Sequence, residues 1–143
     1  MQRITSRAQF QAVLAGKTLA RTSHFSLHSL ELRVLDTPAP QGALVSALFA
    51  LHEQWLGAMI PKRWARRAVT RNAIRRQVYS LARAAATNLP RGAYVVRLRS
   101  AFDRQQFVSA SSEALKTAVR GELVLLFERA GAAAVVVPQA GGG

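Results

Sequence analysis

The chain has 143 residues, half of them apolar, no cysteine, and a formal charge of +13 from 20 Lys or Arg against 7 Asp or Glu. Enough apolar material for one buried core excludes a basic disordered tail, and the missing thiols exclude a disulfide framework, thiolate metal sites and a thiol nucleophile. Such an excess of positive charge points to a polyanion as partner. From the N-terminus, MQRITSRAQFQAVLAGK is too interrupted by polar residues for a signal peptide. No run approaches the roughly 18 apolar residues of a membrane span, so a soluble, cytoplasmic chain is expected. Ser6 followed by Gln9 spells a capping box, with Phe10, Val13 and Leu14 at helical spacing and Gly16 as a stop. HFSLHSLELRVL, 24–35, reads as a strand whose alternation slips between Leu27 and Leu30, which predicts a bulge there. DTPAPQG, 36–42, is a loop, and of the two apolar runs that follow, ALVSALFAL and WLGAMI, the second reads as a strand.

A helix then begins near Ala68, with Ile74, Val78, Leu81 and Ala85 on one stripe. The opposite arc carries Asn72, Arg75, Arg76, Tyr79 and Arg83, with Arg71 between the faces. Lys62, Arg63, Arg66 and Arg67 extend the charge across the turn before the helix. Nothing acidic lies between Glu53 and Asp103, while eleven Lys or Arg accumulate there. A salt-bridged surface helix would mix the two signs, because like charges one turn apart repel. The counter-charge is therefore expected from outside the chain. After Asn88 and Pro90, AYVVRLRS alternates as a strand with Tyr94, Val96 and Leu98 on one side. Asp103 with Gln106 caps a last helix, predicted to break at Gly121, and AAAVVVPQAGGG reads as a frayed tail. One domain over 1–130 with a disordered tail over 131–143 is the expected organisation.

Simpler readings stand beside these. Phe10 at helical spacing could be a core residue as easily as a contact for the polyanion. Tyr79 could stack on a base or merely cover arginine stems. His24 and His28 look like a metal pair, but residues four apart on a strand are about 13 Å apart, too far to chelate one ion. A protein-only nuclease would need clustered carboxylates for its metals, and the seven acids are scattered from Glu31 to Glu128. A membrane-lying helix would need bulkier residues than Ile74, Val78, Leu81 and Ala85 on its apolar stripe. A ribosomal or nucleoid-type protein binding duplex nucleic acid would explain the charge equally well.

GAMIPKRWARRAVTRNAIRR resembles the signature of the bacterial ribonuclease P protein component. There a strand passes through a small residue and paired basics into an Ala-Val-x-Arg-Asn helix. Gly57, Lys62, Arg63, Arg66, Arg67, Ala68, Val69, Arg71, Asn72, Ile74, Arg75 and Arg76 carry the match. FQAVLAGK, the Phe25 and Leu27 strand and YVVRLR extend the resemblance over roughly residues 3 to 129. The chain departs from the family pattern at Leu14, Ala73, Tyr79, Ser80 and Ala82, and its linker from Asp36 to Trp55 is longer than usual.

The resemblance implies an α/β (α+β) two-layer sandwich, ribosomal-protein-S5-domain-2-like, with a mixed sheet of about four strands and three helices. It also implies a left-handed β-α-β crossover, where general rules would favour a right-handed one. In function it implies a non-catalytic subunit that binds the ribonuclease P catalytic RNA and the 5′ leader of precursor tRNA. The RNA would perform the cleavage with Mg²⁺; the protein alone would bind no cofactor, no small-molecule substrate and no membrane. Under this reading Lys62, Arg63, Arg66, Arg67, Arg71, Arg75, Arg76 and Arg83 meet phosphates, with Asn72 touching RNA or capping locally. Phe10 and His28 line the leader cleft.

Overall fold

The computed structural model describes residues 1–31, 49, 53–102 and 113–142. The loop at 36–42, the apolar run after it apart from Phe49, and the Asp103 cap lie outside these residues. The described elements are β1 (Gln2–Arg3), α1 (Arg7–Leu14), β2 (Lys17–Arg21), β3 (Phe25–Glu31), β4 (Trp55–Met59), α2 (Ala68–Ala85) with a 3-10 turn at Ala86–Asn88, β5 (Gly92–Leu98) and α3 (Glu113–Gly142). The strands form one mixed sheet in the order β1-β4-β5-β3-β2. β4 runs parallel to both β1 and β5, while β3 runs antiparallel to β5 and β2. The sheet thus has one more strand than expected, because the two-residue β1 and the charged β2 carry too little apolar alternation to announce themselves.

The sheet buries its two sides unequally. Phe25, Leu27, Leu56, Ala58, Tyr94, Val96 and Leu98 face α2 and α3, which supply Ile74, Val78, Ala82, Leu123, Leu126 and Phe127 to the larger core. Val13 of α1 meets Ile4, Phe49, Ala93 and Val95 in a smaller core on the other side. α1 starts as predicted: Ser6 Oγ accepts from Gln9 N at 3.1 Å while Gln9 Oε1 accepts from the Ser6 and Thr5 amides. The helical stripe of α2 holds too, with Ile74, Val78 and Ala82 fully buried and Leu81 and Ala85 half-buried against the same core.

Two sequence expectations are corrected. β3 pairs with β5 without interruption from Phe25 to Glu31, and the register slips instead on β2, between Thr18 and Ala20. The broken alternation of β3 has another cause: Leu27 enters the large core and Leu30 packs against the small one, so both sides of the strand are apolar. α3 does not break at Gly121. That glycine sits exposed with nothing within 4 Å of where a Cβ would lie. Its helix penalty of about 1 kcal/mol is outweighed by burial of Val119, Leu123, Leu126 and Ala130 around it. The backbone of α3 continues through 131–142, the stretch expected to fray.

Glu122 of α3 ties the β2–β3 turn to the helix layer. It accepts from Thr22 Oγ1 at 2.6 Å and from the His24 amide, and its Oε2 lies 2.8 Å from His24 Nδ1. His24 also stacks on Phe102 at 4.0 Å. It therefore points away from His28, which lies on the other side of the sheet. Inside the large core, Tyr94 donates to the Pro90 carbonyl, and burial, with a smaller push from the Glu31 carboxylate, raises its pKa well above the ordinary phenol value.

Candidate nucleic-acid interface

The segment between β4 and α2 builds the first charged surface. Trp64 and Ala65 donate their amides to the Pro61 carbonyl, closing a turn that leaves Lys62, Arg63, Arg66 and Arg67 exposed. Arg63 lies over the Trp64 ring at 5.1 Å. α2 has Arg67 at its N-cap, with no side-chain cap hydrogen bond and no acid in its first turn. The positive dipole end of the helix therefore adds to the charge around it.

Arg71 behaves differently from its neighbours. Half-buried, it turns back and donates from Nη1 to the carbonyls of Ala65 and Arg66 at 3.0 and 2.7 Å. It clamps the turn that presents the other basic residues. Asn72 accepts at Oδ1 from Arg75 Nη1 at 3.1 Å, which spaces that guanidinium along the helix.

Beyond them, Asn72, Arg75, Arg76, Tyr79, Ser80 and Arg83 line a groove of about 440 Å³ closed on one side by Arg3. Arg3 comes from β1, which reaches this place because its parallel pairing sets Arg3 opposite Leu56 on the α2 side of the sheet. Its guanidinium sits 4.1 Å from the Tyr79 ring centre. Tyr79 thus supports an arginine, though one from outside the helix. Among the described residues no acid lines the groove. Arg3 was not legible as part of it, since only tertiary pairing brings it there.

The second surface is the side of the sheet that, among the described residues, α1 covers only in part. Cross-strand register sets out its rows. Trp55, Ala93 and Leu30 form one row; Gly57, Val95, His28 and Thr18 the next; Met59, Arg97, Ser26 and Arg21 the third. Phe10 is half-buried and its ring lies on Gly57. A Cβ at position 57 would come within 2.6 Å of Phe10 Cε1 and 3.0 Å of Ile4 Cβ, so the glycine is the seat for this ring. Phe10 is therefore both a flank of the small core and an edge of the open face. His28 lies in the same row as Gly57, two strands away. Its Nδ1 is 3.3 Å from Thr18 Oγ1 and its Nε2 is 3.1 Å from Ser26 Oγ. Burial first, then the fields of Arg97 and Arg21, hold its pKa below the ordinary imidazole value. The two surfaces lie on opposite sides of the sheet, so the sequence-predicted residues fall into two groups. Arg97 and Arg21 were missed as members of the second, although the alternation of YVVRLR already sets Arg97 opposite Tyr94 and Val96.

A mixed sheet backed by an acid-free cationic helix has the surface of a polyanion-binding α/β protein. Residues 1–121 match the family model described as Ribonuclease P. The "Ribonuclease P protein component" of Bordetella parapertussis is 33% identical over 127 residues, covering 89% of each chain. That of Ralstonia pickettii is 32% identical over 126 residues, covering 88% of this chain and 76% of the relative. The solved structure of the Staphylococcus aureus RNase P protein superimposes with a TM-score of 0.59 at 16% identity, covering 90% of this chain and 94% of that one. The chain belongs to the ribonuclease P protein family, whose role is tRNA processing.

Proposed function

We propose that the chain is the protein subunit of ribonuclease P, assisting RNA-catalysed removal of the 5′ leader from precursor tRNA. In this reading α2 and the turn before it hold the catalytic RNA. Phe10, His28 and the open sheet face hold the single-stranded leader. The observation that carries it is the division of the molecule into two unlike surfaces: an acid-free groove of about 440 Å³ with Arg3, Arg75, Arg76 and Arg83, and a partly covered sheet face with rings at Phe10 and His28. Guanidinium forks suit phosphate oxygens. Aromatic and imidazole rings suit unstacked bases.

Arg71 takes a positioning role here, because its Nη1 donates to two carbonyls of the turn. Three of the described acids have local uses: Glu122 holds Thr22 and His24, Glu113 pairs with Lys116 at 3.5 Å, and Glu53 accepts from Gln2. Among the described residues no three His, Asp or Glu converge to hold a metal ion. Mg²⁺ is assigned to the RNA, and no step runs through a metal on the protein.

The test is cleavage of precursor tRNA in Mg²⁺. RNA-free protein should leave the substrate intact, and adding the catalytic RNA of the same organism should produce a single cut at the mature 5′ end. Cutting by the RNA-free protein would overturn the division of labour. Sequencing of RNA recovered with the tagged chain should return one abundant structured RNA; ribosomal RNA or DNA would favour the duplex-binding alternative.

A further inference from the structure

α2 and α3 pack side by side over the large core, and residues that face each other across such a helix pair are ordinarily apolar. Along the first turns of α3 they are not. There the two helices leave a groove of about 400 Å³, walled by Arg76, Gln77 and Ser80 of α2 and by Lys116, Thr117 and Arg120 of α3. Arg76 and Ser80 also line the groove that Arg3 closes. α2 is therefore a ridge with a cationic trough on each flank, and the charge of its arc continues onto α3.

Lys116 and Arg120 are both exposed and stand one turn apart, a like-charge pair that repels within its own helix. Glu113, on the same wall, reaches Lys116 at 3.5 Å but is itself 90% exposed, so water screens the pair. Arg120 forms no ion pair among the described residues. The floor of the groove adds a second requirement. Gln77 is half-buried, and its Nε2 donates to the Lys116 carbonyl at 3.1 Å, which stitches the helices together. Its Oε1 is buried and has no donor. An amide oxygen withheld from water without a partner costs free energy. A rotation about its last torsion, a soft one for a side-chain amide, would bring that oxygen toward a ligand in the groove. Bare phosphate, ionised, offers it only acceptors, whereas a ribose 2′-hydroxyl donates as well as accepts. Guanidinium and ammonium groups suited to phosphate oxygens, beside an unmet acceptor suited to a hydroxyl, complement a ribose–phosphate chain.

We infer that the groove between α2 and α3 holds ribose–phosphate backbone of the catalytic RNA, with Arg76, Lys116 and Arg120 on a phosphate and Gln77 Oε1 accepting from a 2′-hydroxyl. This rests on the reading that α2 faces the catalytic RNA, and it widens that surface from one helix to two. DNA would supply the phosphate but leave the Gln77 oxygen unpaired.

The experiment has two arms. In the first, binding of the catalytic RNA to the full chain is measured across a salt series. Lys116→Gln combined with Arg120→Gln should lower the log–log slope by about 0.7 to 0.9, the value for one phosphate contact. Lys17→Gln combined with Arg91→Gln, exposed and outside both grooves, removes the same charge and should keep the parental slope. Equal slopes in the two pair variants would overturn the inference. Arg75→Gln combined with Arg83→Gln separates it from the reading beneath it: a flattened slope there with a parental one in the α3 pair leaves the α2 surface standing without this groove, and parental slopes in both sink the two together. In the second arm, catalytic RNA carrying scattered 2′-deoxy substitutions is selected for binding. The parent should show positions at which a missing hydroxyl weakens binding. At one or more of them the interference should vanish with Gln77→Met and with the α3 pair variant, and persist with the control pair. Persistence of every position in the α3 pair variant, whose substituted residues are exposed, would show that no backbone enters the groove. Loss in that variant but not in Gln77→Met would overturn the hydroxyl contact.

Discussion

The α2 groove and the open sheet face both present arginine, but in different physical states. On α2, Arg76 and Arg83 are exposed, Arg75 is spaced by Asn72, and Arg71 is bound to its own turn. On the sheet, Arg97 is half-buried with an unpaired Nε beside an imidazole whose nitrogens are both engaged. The first surface is a broad field whose charges can shift with their ligand. The second is a narrow fixed site in which each group depends on its neighbour.

The largest effect is expected beneath the α2 groove. Ile74 is 2% exposed and faces the large core, so Ile74→Ala should cost about 2–5 kcal/mol in urea denaturation. At a temperature where the variant stays folded, its salt slope for the catalytic RNA should equal the parent's; a changed slope would mean that core and charged arc are not separable.

Next comes the arc itself. Replacing Arg75, Arg76 and Arg83 by Gln should weaken binding of the catalytic RNA by roughly a hundredfold at moderate salt and flatten the slope by somewhat under one unit for each phosphate no longer neutralised. Thermal stability should be unchanged or raised, because like-charge repulsion is relieved. If the variant melts lower and keeps the parental slope, the arc is structural.

Arg71 draws a line inside the same helix. Because it donates to two carbonyls of the preceding turn, Arg71→Gln should lower stability by about 1 kcal/mol, whereas Arg76→Gln should not. Denaturation midpoints of the two single variants decide between them; equal midpoints would return Arg71 to the binding surface.

The smallest effect is a pH dependence on the sheet side. The His28 pKa lies below its ordinary 6.5, first through burial and then through Arg97 and Arg21, so the unfolded chain binds this proton more tightly than the native state. The group's contribution to stability is complete above about pH 6.5 and is lost as the pH falls from there toward the folded value. The denaturation midpoint of the parent should therefore drop more steeply between about pH 7 and 5 than that of His28→Gln. Parallel profiles would show that His28 is not held neutral by its surroundings.

What could be read in advance follows from which interactions are local. The capping box at Ser6 and Gln9, the stripe of Ile74 and Val78, and the acid-free span from Lys62 to Arg83 all depend on neighbours within one or two helical turns. They were legible, and with them the family. Arg3 in the groove, Arg21 beside Ser26 and the short β1 depend on strands far apart in sequence, so no local pattern marked them. Arg97 is intermediate: alternation gave its side of the strand, but not what stood next to it. The mistaken bulge at Leu27 and Leu30 has the same origin, since alternation predicts one buried side and β3 has two.

The order β1-β4-β5-β3-β2 has a consequence for how the chain is made. Among the described strands β5 is the last in sequence and the only link between the β1–β4 pair and the β2–β3 hairpin. A growing chain that has not yet reached Leu98 holds two strand pairs with nothing between them, each with an open edge that β5 will later cover. α3, which closes the large core, comes later still. Pairings across such long loops form slowly, because the entropy of closing the loop must be met before the contacts reward it. Until then the unpaired edges are open to strands of other chains. Truncations ending before β5 should therefore aggregate rather than fold into smaller domains, and the time at which β5 becomes available sets the earliest moment at which the molecule can acquire either of its two surfaces.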